Sequence, residues 1–160
     1  MKALTVATAD DMRMLGEMVG RECRGGDVLV LTGDLGAGKT TFTQGLARGI
    51  GVTEQVTSPT FVIARVHPNE SGGPALAHVD AYRLGSALEL DDLDLDADLD
   101  HSVVVVEWGG GIAERLSPVR LGITIRRSDD EGDDERTVEL EGHGDRWRLP
   151  VEALTEAWTP

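Results

Sequence analysis

The eight residues Gly33-Asp34-Leu35-Gly36-Ala37-Gly38-Lys39-Thr40 constrain this chain more than any other stretch. They match the spacing G-x-x-x-x-G-K-[ST], a phosphate-binding signature when a strand leads into it and a helix leads out. Both flanks comply: residues 28–31 are a short apolar run suited to a buried parallel strand, and residues 39–50 read as a helix ended by Gly51. Glycines let consecutive backbone N–H groups turn inward at angles that a Cβ forbids, and the helix start adds unpaired N–H groups and partial positive charge. Lys39 would reach the β- and γ-phosphates and Thr40 would offer its hydroxyl to Mg²⁺, with Asp34, Leu35, Gly36, Ala37, Gly38 and Thr41 completing the cradle. At this composition a chance match is on the order of 0.4% over the whole chain, so the motif is read as functional.

The remaining pattern is that of an α/β chain. Residues 3–6, 61–66, 76–80, 103–106, 119–126 and 137–141 read as strands, and 68–74 as a turn. A helix is expected over 9–21, with Thr8 as its N-cap and Met12, Leu15, Met18 and Val19 on one face. Shorter helices are expected near 89–100 and over 112–116. The last two strands flank an acidic hairpin tip at 128–135, and an amphipathic segment over 145–158 is expected to pack back on the sheet. We therefore expect one domain over residues 1–160, a three-layer fold with a mixed, mainly parallel central sheet.

Composition narrows the setting. No run approaches the ~18 apolar residues of a membrane helix, the N-terminus lacks a signal-peptide pattern, and Cys23 is the single cysteine, so a cytoplasmic protein is expected. The net charge of −14 argues against extended contact with nucleic acid by this chain alone. Its 15 cations are 13 arginines and two lysines, Lys2 and Lys39. The acidic run 89–100 superficially matches the start of a calcium loop at Asp92, Asp94 and Asp96, but Ala97 and Val103 stand where that loop needs glycine and a bidentate glutamate. The four histidines have no ligand spacing for zinc.

With two lysines, neither in an N-K-x-D setting, the guanine-selecting motif is missing, and ATP is the expected nucleotide. Asp80 and Glu107 each close a strand, and ligands of open α/β sheets gather at strand carboxyl ends. One would hold Mg²⁺ and the other orient or deprotonate the attacking water. Thr57-Ser58-Pro59-Thr60 suits either a switch that senses the γ-phosphate or a simple turn. No arginine is recognisable as a finger, so slow intrinsic hydrolysis is expected. A small-molecule kinase with Arg126 and Arg127 in a lid, or a nucleotide-gated adaptor, are the other readings these residues allow.

Four segments occur together in a familiar order and spacing: the loop through Thr41, Ser58-Pro59-Thr60-Phe61, His78-Val79-Asp80-Ala81-Tyr82-Arg83-Leu84, and Glu107-Trp108-Gly109. Over roughly residues 8–126 the chain resembles the TsaE family, bacterial ATPases of tRNA threonylcarbamoyladenosine biosynthesis. The resemblance implies binding to the TsaB–TsaD pair, which transfers a threonylcarbamoyl group to N6 of adenosine 37, with ATP hydrolysis permitting repeated turnover. By motif it implies that Thr40 and Glu107 serve Mg²⁺, that Lys39 and Asp80 are catalytic, and that Thr60 lies in a switch. It brings Trp108 near the nucleotide, packing being the other role open to that ring, and it implies contact with tRNA only through the partners.

Overall fold

The computed structural model describes residues 2–34, 36–53, 56, 64–80, 99–107, 118–130 and 132–159. Among the described residues seven strands form one sheet: β1 (Lys2–Val6), β2 (Val28–Gly33), β3 (Ala64–His67), β4 (Ala75–Asp80), β5 (Ser102–Glu107), β6 (Arg120–Arg127) and β7 (Arg136–His143). Their order is β1-β7-β6-β2-β5-β4-β3. β2 lies at the centre and pairs in parallel with β5 on one side and β6 on the other, and β4 extends the parallel set beyond β5. β3 joins one edge antiparallel, while β7 and β1 continue antiparallel from β6. The expected mixed α/β sheet is therefore the one formed, with a parallel centre and antiparallel margins.

A parallel centre needs apolar cover on both faces, which is why its strands are near-continuous hydrophobic runs. Leu29, Leu31, Val103 and Val105 belong to the main core on one face, and Val30, Val104 and Val106 are buried on the other. Helices α1 (Ala9–Glu22), α2 (Lys39–Ile50) and α3 (Arg148–Ala157) contribute to that main core. No helix among the described residues is long and apolar enough to cross a membrane.

α1 begins as its sequence dictates. Thr8 Oγ1 accepts the Asp11 N–H at 3.1 Å, and Asp10 and Asp11 face the positive end of the helix dipole. Met12, Leu15 and Val19 form the buried stripe, but Gly16 and Gly20 share it. With Gly45 and Gly49 of α2, these two glycines let the helix backbones approach so closely that a Cβ at any of the four positions would strike the facing backbone. A Cβ on Gly16 would stand 2.2 Å from the Phe42 carbonyl oxygen, and one on Gly49 2.2 Å from that of Glu17. The backbones of α1 and α2 thus touch directly, and α1 is seated on the helix that follows the Gly33–Thr40 loop.

The C-terminal segment splits into a 3₁₀ turn, Asp145–Trp147, and α3, and it does return to the sheet. Trp147, Val151, Leu154 and Trp158 enter the core, and the Trp158 indole N–H donates to the Thr5 carbonyl at 2.8 Å. Arg146 fastens the turn to the start of β2, donating to both carboxylate oxygens of Asp27 at 2.9 and 3.3 Å while stacking on the Trp147 ring at 4.4 Å. Asp27 also accepts the Arg24 N–H at 2.6 Å. Removing one member of such a largely buried pair strands the other. Asp27→Ala is expected to destabilise the fold by about 3 kcal/mol, read as a denaturation midpoint lower by roughly 5–10 °C; an unchanged midpoint would mean that the clamp contributes nothing.

β7 runs past both expected ends, to Arg136 and His143, and β6 lies one residue later than expected, because the β6–β7 ladder holds from Arg120↔His143 to Arg127↔Arg136. The expected helix over 112–116 and most of the acidic run 89–100 lie outside the described residues.

Candidate functional site

The loop leaves the carboxyl end of β2, between its parallel neighbours β5 and β6. This is the crevice in which open α/β sheets place ligands. Gly36 and Gly38 adopt φ of +79° and +117°, the left-handed region that a Cβ disfavours, so glycine is required at both turns. Gly38 is the N-cap of α2 and has no side chain with which to cap it, which leaves the first-turn amides turned toward the loop. Within the loop the Ala37 N–H donates to the Asp34 carbonyl at 3.0 Å. The Lys39 ammonium is largely buried and donates to the carbonyls of Gly33 at 2.5 Å and Asp34 at 3.3 Å. Left-handed glycine turns, an uncapped helix start and a cation held across the loop together make an electrostatic arrangement that anions seek.

The strand-end acids fall where their motif predicts. Asp80 pairs with Glu107 across β4 and β5, and Glu107 pairs with Leu31 of β2. Glu107 is buried, and its Oε1 lies 3.1 Å from Nε2 of the fully buried His78. That is ion-pair distance, yet the alignment is not that of a hydrogen bond, and Oε1 has no aligned donor among the described residues. A buried carboxylate oxygen left this way is costly unless something else satisfies it. Thr40 opens α2 in the same crevice, and no hydrogen bond engages its hydroxyl among the described residues. A hydroxyl and an under-satisfied carboxylate suit Mg²⁺, which takes one or two protein oxygens and completes its shell with phosphate and water. No cluster of three His, Cys, Asp or Glu that could hold a metal by themselves occurs among the described residues.

Of the expected cradle, Asp34, Gly36, Ala37, Gly38, Lys39, Thr40 and Thr41 are brought together here, while Leu35, Thr60 and Trp108 lie outside the described residues. A cleft of about 350 Å³ opens beside the loop, lined by Thr8, Met12, Gly38, Thr41, Asp134 and Arg136. Cys23 is remote in role: its thiol donates to the Val19 carbonyl, and burial pushes its pKa well above the usual thiol range.

Arg136 escaped the sequence reading, and Arg127 entered it only as part of a kinase lid. Arg136 Nε donates to the Ala37 carbonyl at 3.1 Å, and a terminal nitrogen of Arg127 lies 3.7 Å from where a Cβ on Gly36 would stand. Arg136 is 99 residues from Ala37 in sequence, so only strand pairing reveals the contact.

The family model described as "Threonylcarbamoyl adenosine biosynthesis protein TsaE" matches residues 6–138. A Streptomyces coelicolor protein named tRNA threonylcarbamoyladenosine biosynthesis protein TsaE is 54% identical over 138 residues, 85% of this chain and 93% of its own length. A protein of the same name from Bacillus subtilis is 40% identical over 147 residues, 91% of this chain and 89% of its own. The crystal structure of Bacillus subtilis YdiB is similar with a TM-score of 0.76 and 35% identity, covering 97% of this chain and 94% of that one.

Proposed function

The chain belongs to the TsaE family of tRNA threonylcarbamoyladenosine biosynthesis, and from that premise we propose that it binds ATP with Mg²⁺ and hydrolyses it to sustain turnover of the TsaB–TsaD pair. The observation that carries this reading is the juxtaposition of the Lys39-bearing loop with the buried, under-satisfied Glu107 one strand away. In this reading Lys39 holds the β- and γ-phosphates and the α2 amides receive their oxygens. Thr40 and Glu107 hold Mg²⁺, which neutralises charge on the phosphates when bound. His78 lies beside the Glu107 carboxylate at ion-pair distance, Asp80 orients or deprotonates the attacking water, and Thr60 belongs to a segment that senses the γ-phosphate. The 350 Å³ cleft is of a size for the nucleoside. A net charge of −14 provides no basic track for tRNA, in keeping with action through partner proteins in the cytoplasm.

The test is release of inorganic phosphate from ATP with and without the TsaB–TsaD pair. Slow hydrolysis that the pair accelerates is expected; no acceleration, or transfer of the γ-phosphoryl group to a metabolite, would sink the assignment. Glu107→Gln is expected to lower hydrolysis by about 100-fold or more while leaving metal-free ADP binding close to wild type. Full tRNA modification by that variant would favour a nucleotide-gated adaptor instead.

A further inference from the structure

The β6–β7 hairpin ends, before its tip, in the directly opposed pair Arg127↔Arg136. Like charges facing each other across a ladder are destabilising. The alternation that buries Leu121, Ile123 and Ile125 under the helices brings Arg127 to that same face, and Val138 and Leu140 do likewise for Arg136. Both guanidiniums therefore sit on the loop side of the sheet. Arg136 is committed, its Nε donating to the Ala37 carbonyl and one terminal nitrogen to the Glu135 carbonyl at 3.3 Å. Arg126 points to the other face, where it meets Glu139 at 3.5 Å. Arg127 differs from both. It lies beside Gly36, and no carboxylate or carbonyl among the described residues engages it, although Asp129, Asp130, Asp133, Asp134 and Glu135 follow within the same hairpin. In a chain of net charge −14, an exposed guanidinium kept apart from its acidic neighbours and opposite another cation is arranged for an external anion.

The sheet order says which part of the anion. β5 and β4, with Glu107 and Asp80 at their ends, flank the loop on one side, and β6 flanks it on the other. If metal and attacking water act on the β5 side, the β6 side faces the non-reacting end of the nucleotide. We propose that Arg127 is a nucleotide-binding residue that donates to the phosphates shared by ATP and ADP, on a hairpin held to the loop by Arg136. This rests on the nucleotide reading above. Its contribution is uniform binding, equal in ground and transition state, and not that of an arginine finger.

Titration of the full chain with MgADP, together with steady-state ATP hydrolysis, tests the assignment. Arg127→Ala is expected to weaken ADP and raise the KM for ATP by about tenfold each, with kcat kept within about twofold of wild type. Arg127→Lys restores part of the loss, and Arg126→Ala, with its side chain on the opposite face, binds as wild type. Unchanged ADP affinity in Arg127→Ala overturns the proposal, as does a fall in kcat with ADP affinity kept, or an equal loss in Arg126→Ala. A wild-type chain that fails to bind ADP overturns the nucleotide reading itself. A wild type that binds, with Lys39→Ala abolishing binding and Arg127→Ala neutral, overturns this proposal alone.

Discussion

Gly45→Ala is expected to cost about 3 kcal/mol of stability and to lower the denaturation midpoint by roughly 10 °C, followed by circular dichroism. The added Cβ would stand 2.0 Å from the Arg13 carbonyl oxygen and 2.7 Å from its carbon, backbone atoms of α1 that no rotamer change can clear. The helices must separate, and the packing of Phe42 and Leu46 against Leu15 and Val19 loosens with them. Alanine's better helix propensity returns only about 1 kcal/mol, so overpacking wins. A variant as stable as wild type would show that α1 and α2 do not touch at their backbones in solution. Because α2 begins at Lys39, loss of nucleotide affinity is expected to accompany loss of stability.

Lys39→Ala is expected to separate those two properties. The ammonium donates to two loop carbonyls, Gly33 and Asp34, and sits where phosphate oxygens would gather. Truncating a desolvated charge of this kind typically costs about 2–5 kcal/mol in binding, so ATP and ADP affinity should fall by about 30-fold or more. The fold itself should change little, since Ala37 N–H to Asp34 and Arg136 to Ala37 still hold the loop. Calorimetric titration alongside a thermal melt decides the matter. Retained nucleotide affinity in a folded Lys39→Ala protein would refute the site.

Much of this was legible before any coordinates. The helix over 39–50, the Thr8 cap and the strands ending at Asp80 and Glu107 follow from local chemistry: glycine at a left-handed stop, a hydroxyl at a helix start, and apolar runs bounded by turns. Strand ends were less well read. Arg127, Arg136 and His143 are polar, and a pattern sought in apolar residues stops short of them, whereas hydrogen bonding between β6 and β7 does not depend on side-chain polarity. The glycines at positions 16, 20, 45 and 49 played no part in the sequence reading, and helix propensity alone counts them as a cost. Only the close approach of the two helix backbones shows that they are the contact surface.

The sequence by itself determined the Gly33–Thr40 loop. The phosphate binding proposed for it would reside in consecutive backbone amides, and the residues that permit that backbone conformation are contiguous in the chain. Tertiary structure decided what surrounds the loop. The sheet order laid β6 on one side of β2 and β5 on the other, and so brought Arg127 and Arg136 to one flank of the loop and Glu107, against His78, to the other. Those meetings depend on which strands pair, a property of the whole hydrogen-bonded sheet that no local stretch of residues encodes.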